Sequence, residues 1–331
     1  MNGQLSSEIL RQPAKRAARV IARARLDAVR DAYTRFDTAD ADALHDLRVG
    51  LRRLRSWLRA FRPELDDTVR GKTRRRLRDL THATNLARDV EVWSEWIAAQ
   101  PRLSSHARSG LRYVTRWLRA DGDAQRRKAM KRIRSRLPPL LDALESELSS
   151  YNAPVPIEDE VADEPTMAAA TAELIRAHVQ RFTKRIERIQ SGRDVAAIHR
   201  CRIAAKRLRY ILEALDEFPS VSTATTRLVE LQDALGTVRD LRLFVERMVE
   251  RIGVIAMMEE RRRAARSLAI EARDAPSPAL ARVRPGMMLL AKRARQEADD
   301  AFETFHAAWS GDRVAEISRS LDALIGTFER E

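Results

Sequence analysis

Two stretches of this chain, HDLRVGLRRLRSWLRAF at residues 45–61 and HRCRIAAKRLRYILEAL at 199–215, share one layout. At about 100° per residue, His45, Arg48, Arg52, Arg55 and Arg59 fall within roughly an 80° arc of a helix face. Leu44, Leu47, Leu51, Leu54, Leu58 and Phe61 fill the opposite side. In the second stretch His199, Arg202, Lys206 and Arg209 occupy the same arc, opposite Leu208, Leu212 and Leu215. Each segment therefore predicts a helix with one apolar side, which a core must cover, and one strongly basic side.

The rest of the sequence extends this pattern. Only 11 Gly and 12 Pro occur in 331 residues, and Ala/Leu/Arg/Glu stretches recur, so helix is favoured nearly everywhere. The spacing predicts helices over Pro13–Phe36, Ala43–Phe61, Val69–Ala99, Ser104–Ala120 and Asp123–Leu148. It predicts others over Thr166–Gln190, Val195–Glu217 and Ser222–Arg251, with two or three more to the end. Asp42 is a candidate N-cap of the second helix, and Pro63 and Pro219 lie just beyond the two quoted helices. No run of alternating strands is present, and the expected fold is all-α. Residues 150–165, SYNAPVPIEDEVADEP, hold three prolines and five acids with no apolar period and are expected to form a linker. The chain then divides into a first helical bundle (1–149), the linker (150–165) and a second bundle (166–331).

The two halves align in register. His45 pairs with His199, Arg48 with Arg202, Arg52 with Lys206, Arg53 with Arg207, Leu54 with Leu208 and Arg55 with Arg209. Further on, LRDLTHATNLARD (77–89) matches LVELQDALGTVRD (228–240), pairing Arg88 with Arg239 and Asp89 with Asp240. A repeated pair of helices in the same order suggests two bundles related by a pseudo-two-fold axis. The formal net charge of +14 points to a polyanion, whether nucleic acid, an anionic membrane or a phosphate polymer. Codon bias can raise the number of arginines, but it cannot place them in register twice.

Ordinary exposed helices mix charge signs. Here like charges recur at i, i+3 and i, i+4, which destabilises an isolated helix by about a few tenths of a kcal/mol per pair. A ligand that supplies negative charge would relieve this. Guanidinium suits phosphate, because its planar fork makes bidentate bonds and keeps its proton. Further candidate phosphate contacts are Arg19 and Arg23 before the first stripe and Lys184 and Arg188 before the second. Arg74, Arg78 and Arg88 follow the first stripe, and Arg227 and Arg239 the second. Arg88–Asp89 and Arg239–Asp240 could equally be ion pairs within the helix packing. Neighbouring arginines should push each stripe histidine towards neutral, and bound phosphate should pull it back, so affinity should rise as pH falls.

Other classes fit less well. Cys201 is the single cysteine, which rules out an internal disulfide framework or a cysteine-based zinc site, and by angle it lies on the buried side of its helix. The first twenty residues lack the apolar core of a signal peptide, and no window approaches ~18 uncharged apolar residues, so a cytoplasmic protein without a membrane span is expected. There is no P-loop, no HExxH motif and no carboxylate cluster of metal-binding form, since Asp66-Asp67 and Glu158-Asp159-Glu160 read as solubilising loop charges. The expectation is a binding protein, not an enzyme, with no cofactor. Non-specific nucleic-acid binding is the alternative. Against it, aromatics are only 5%, and Trp57, Trp93, Trp96 and Trp117 recur at core spacing rather than among the arginines.

At the stripe motifs the sequence resembles the CHAD family, the conserved histidine α-helical domain. The pattern His-x-x-Arg-x-x-x-(Lys/Arg)-Arg-Leu-Arg occurs as HDLRVGLRRLR and HRCRIAAKRLR, and LQDALGTVRD has the family's form. LTHATNLARD in the first half departs from it, with Asn85 where Gly236 stands. The resemblance implies two helical bundles around a basic central cavity or pore that binds inorganic polyphosphate, with association to polyphosphate granules. It implies phosphate contacts at His45, Arg48, Arg52, Arg53, Arg55, His199, Arg202, Lys206, Arg207 and Arg209, to which the stripe adds Arg59. By angle, Arg53 and Arg207 lie about 80° to the other side of the histidines. The CYTH triphosphatase domain that some family members carry has no counterpart here. The expected partner is inorganic polyphosphate, with no specific nucleic acid and no membrane, while the oligomeric state is left open.

Overall fold

A computed structural model describes residues 5–37, 43–83, 85–100, 105–149, 164–216, 218–268, 282–309 and 311–330. Among these residues the fold is all-helical, and an isolated bridge between Pro13 and Thr166 is the nearest approach to a strand. The chain opens with α1 (Ser7–Leu10), α2 (Ala14–Asp37) and the first stripe helix α3 (Ala43–Ala60). Then come α4 (Arg62–Leu65), α5 (Gly71–Ala83), α6 (Asn85–Ala98) and the long α7 (Ser105–Ser149). After residue 163 follow α8 (Met167–Ile186), the second stripe helix α9 (Val195–Leu212), α10 (Pro219–Ser267), α11 (Arg284–Trp309) and α12 (Asp312–Phe328).

Local chemistry sets the starts. The Asp194 carboxylate accepts from the Ala197 N–H at 2.8 Å and caps α9, and the Thr166 hydroxyl accepts from the Ala169 N–H at 3.2 Å and caps α8. Pro219, which lacks an N–H, stands in the first turn of α10. Asp42 and residues 150–163, which cover most of the expected linker, lie outside the described residues.

Two expected breaks are absent. A gap was expected at residues 121–122, yet α7 runs through it without interruption. Gly122 serves packing instead, since a Cβ there would come within 3.1 Å of Val90 Cγ1 on α6. Likewise α10 continues to Ser267, well past Arg251. The stretch expected as one helix over Val69–Ala99 is α5 and α6, with Thr84 outside the described residues between them.

The apolar side of α3 is buried from Leu44 to Leu58, with Phe61 just beyond it. On α9, Ile198, Cys201, Ala205, Leu208 and Leu212 are buried likewise. α3 packs on α2 and α5, α9 packs on α8 and α10, and the two stripe helices touch each other. One hydrophobic cluster joins these helices with α12, and a second lies among α6, α7, α10 and α11. Both draw on residues before and after 150–163. The starts of α2 and α8 are also tied directly: the Ala14 N–H donates to the Pro165 carbonyl at 3.0 Å, and the Met167 N–H to the Gln12 carbonyl at 2.9 Å. No helix among the described residues is long and apolar enough to cross a membrane.

Candidate functional site

With their apolar sides committed to the core, α3 and α9 turn their basic sides towards a common space. The result is a cavity of about 1390 Å³. His45, Arg48, Arg52, Arg55 and Arg59 line it from α3, and His199, Arg202, Lys206 and Arg207 from α9. Arg239 joins them from α10.

Two stripe residues point elsewhere. Arg53 Nε lies 3.3 Å from Glu213 and Arg209 Nη1 3.6 Å from the same carboxylate, so Glu213 gathers both on the flank of the helix crossing. Most of the further candidates also lie off the cavity. Arg23 pairs with Glu145 at 3.0 Å, Arg78 with Asp79 at 3.2 Å, and Arg227 with Glu316 at 3.0 Å and Glu230 at 3.1 Å. Arg19 donates to the Lys15 carbonyl, while Lys184 and Arg188 are exposed. Arg74 is structural: its guanidinium donates to the carbonyls of Leu58, Leu65 and Val69 and lies 3.3 Å from Asp66, tying α3 to α4 and α5. The Arg88 side chain lies outside the described part.

The crowding shows in the protonation equilibria. Burial pushes the Lys206 ammonium down to about 7, and Arg202, Arg52, Arg209 and Arg239 add to the effect. His199 is held below the usual imidazole range by burial and then by Arg239, Arg202, Lys206 and Arg200. The Arg202 guanidinium is lowered too, mainly by desolvation, which Asp240 opposes and Arg239 reinforces. It donates from Nε to the Gln232 carbonyl at 3.4 Å and passes over α10 at Gly236, where a Cβ would stand 3.3 Å from its Nη2. Such a cavity is a set of charges held against repulsion, and it favours whatever brings negative charge.

The negative charge present is uneven. Where α6 and α10 meet, Arg239 contacts Asp89 at 3.5 Å and Asp240 at 2.5 Å, and Arg48 lies 3.6 Å from Glu91. Asp89 is nonetheless raised above the usual carboxylate range by burial, with Arg239 opposing. Several buried donors inside lack a partner among the described residues: Arg52 Nε, the Tyr210 hydroxyl and Gln232 Nε2. Arg52 also stacks on the Tyr210 ring at 5.6 Å.

Some lining residues escape sequence reasoning. His178 and Arg181 reach the cavity from α8, and His82 from the last turn of α5. An i, i+3 pair such as His178 and Arg181 looks like any solvated face until α8 is placed beside α9. Trp93 and Trp96 keep to the second hydrophobic cluster, as their spacing predicts, and also line the cavity at its α6 end. Both indoles are anchored, Trp93 Nε1 donating to the Asp240 carbonyl at 2.9 Å and Trp96 Nε1 to Glu297 at 2.6 Å. Cys201 is buried as expected, and desolvation pushes its thiol up to about 12, which leaves it without thiolate character.

Comparison with known proteins agrees with this architecture. The family model of the CHAD domain matches residues 20–249. The crystal structure of the CHAD domain from the plant Ricinus communis superposes with a TM-score of 0.61 at 24% identity, covering 87% of this chain and 96% of that one. PptA from Streptomyces chartreusis gives a TM-score of 0.64 at 17% identity, covering 91% of this chain and all of the other. No curated protein matches the sequence. The chain belongs to the CHAD domain family, and no CYTH domain is detected in it.

Proposed function

We propose that this protein binds inorganic polyphosphate in the cavity between α3 and α9. The observation that carries the reading is the convergence of two in-register basic stripes, from distant parts of the sequence, on one space. Membership of a family generally associated with polyphosphate binding supports it. A chain of phosphates lying along the stripes would accept from guanidiniums and imidazoles in turn, each contact releasing counterions. The two halves then act as one domain, an internal duplication with a pseudo-two-fold relation between α3 and α9. The role is binding and not catalysis: Asp89 and Asp240 at the cavity wall, and Glu91 beside Arg48, are engaged with arginines. In a cell, such a protein would collect at polyphosphate granules.

Nucleic acid is the rival polyanion, and Trp93 and Trp96 at the cavity wall are its best support. Their indoles are anchored by hydrogen bonds, which favours a polymer without bases. Calorimetric titration at about 0.15 M salt, where surface charges are well screened, separates the two. Long-chain polyphosphate is expected to bind tightly, single-stranded DNA and RNA of similar charge much more weakly, and Arg52→Glu with Lys206→Glu to abolish the difference. Equal binding of all three polymers, or no loss in the double variant, would make the stripe a generic basic surface.

A further inference from the structure

The cavity has one end that the stripe repeat does not account for. In the sequence register Arg53 matches Arg207, and Arg59 matches Glu213. On one flank of the crossing, Arg53 and Glu213 pair at 3.3 Å, Arg209 joins them, and neither arginine lines the cavity. The matching positions on the other flank are both arginines. Arg59 and Arg207 line the cavity there with Arg181 and His178 of α8. No ion pair is made by Arg59, Arg181 or Arg207 among the described residues; Arg181 instead lies 3.4 Å from His178 Nδ1.

The surroundings of this cluster are one-sided. Burial, followed by the charges of Arg59, Arg185, Arg181 and Arg55, pushes Arg207 down to about 10. Burial, then the charges of Arg181, Arg207 and Arg59, drives the His178 imidazole down to about 4, so it stays neutral. Phe61, Pro63, Glu64 and Glu173 line the cavity as well. Glu64 is raised by burial, with Glu173 pushing the same way against a backbone hydrogen bond, which places the two carboxylates near each other. An anionic chain lying along the stripes therefore meets three guanidiniums that make no ion pair among the described residues.

We propose that Arg59, Arg181 and Arg207, beside His178, form a terminal subsite that takes the end phosphate of a polyphosphate chain. The proposal rests on the polyphosphate reading of the stripes and adds a direction to it. An internal phosphate carries one charge, whereas an end phosphate carries a second that ionises near neutral pH. Three guanidiniums match the doubly charged end better than a linking unit, which carries a single charge.

The test compares linear polyphosphate with free ends and the same material with its terminal phosphates blocked as alkyl phosphoramidates. Both are titrated into the wild-type chain and into Arg181→Glu and Arg207→Gln, with helicity and Tm checked for each. Arg181 is exposed, so its replacement leaves the core intact. The wild type should prefer free ends by roughly ten-fold, the scale of a lost charge-assisted contact, and both variants should lose that preference while still binding blocked chains. Equal wild-type affinity for free and blocked chains would overturn the terminal subsite and leave the stripe reading standing. A preference that survives in both variants would overturn the assignment to these residues. No binding of either polymer would overturn the polyphosphate reading and this inference with it.

Discussion

Lys206 holds the least comfortable charge on the stripe. Its ammonium titrates near 7 when folded and at 10.5 when free, so between those pH values the unfolded chain holds more protons. Folding stability should therefore rise with pH across that window, and below about pH 7 the fold must carry a buried, repelled cation. Lys206→Met should remove this dependence and stabilise the protein by about 1–4 kcal/mol on the acid side, the range seen when buried charges give way to apolar side chains. Urea unfolding of both proteins at about pH 6 and pH 9 checks the sign. Bound polyanion should reverse the depression of Lys206 and of His199, so binding near neutral pH should take up protons, read as a dependence of the calorimetric heat on the buffer. This outcome follows from residue types visible in the sequence. The depth of the Lys206 shift was not visible there, because it depends first on the burial of the group and then on its charged neighbours, Arg239 from α10 among them.

Among the elements, α3 and α9 were legible because an amphipathic stripe is a local property, fixed by helical period and side-chain type. Arg53 and Arg209 were misplaced because their fate depends on Glu213 at the helix crossing, which no single-helix projection contains. The spacing divides α7 at residues 121–122, whereas the lack of a side chain at Gly122 admits Val90 of α6 and the helix continues. Arg74 looked like one more cation behind the first stripe. Its guanidinium instead supplies donors to three carbonyls where α3, α4 and α5 meet. Arg74→Ala should thus destabilise the fold by about 1–3 kcal/mol, the cost of leaving such groups unsatisfied. Polyphosphate affinity at a temperature where the variant is folded should be unchanged. Denaturant midpoints and calorimetry on the same variant test both halves of this expectation.

At the scale of the molecule, binding by many modest contacts has a measurable form. The logarithm of affinity should fall linearly with the logarithm of salt concentration, and Arg52→Ala should reduce that slope by roughly one contact. Affinity per strand should climb with polymer length until the chain fills the cavity and then level off. The all-helical architecture followed from composition, but the sharing of both hydrophobic clusters between the halves did not, since periodicity reports which side of a helix is apolar and not which neighbour covers it. The unlike ends of the cavity carry one more consequence. A linear polyphosphate reads the same from either terminus, whereas a cavity with a terminal subsite at one end alone does not. One strand thus offers two equivalent seats, and molecules that take them face each other along it. On short strands, where few internal registers compete with the ends, cutting a strand in two therefore doubles the preferred places without adding a single phosphate.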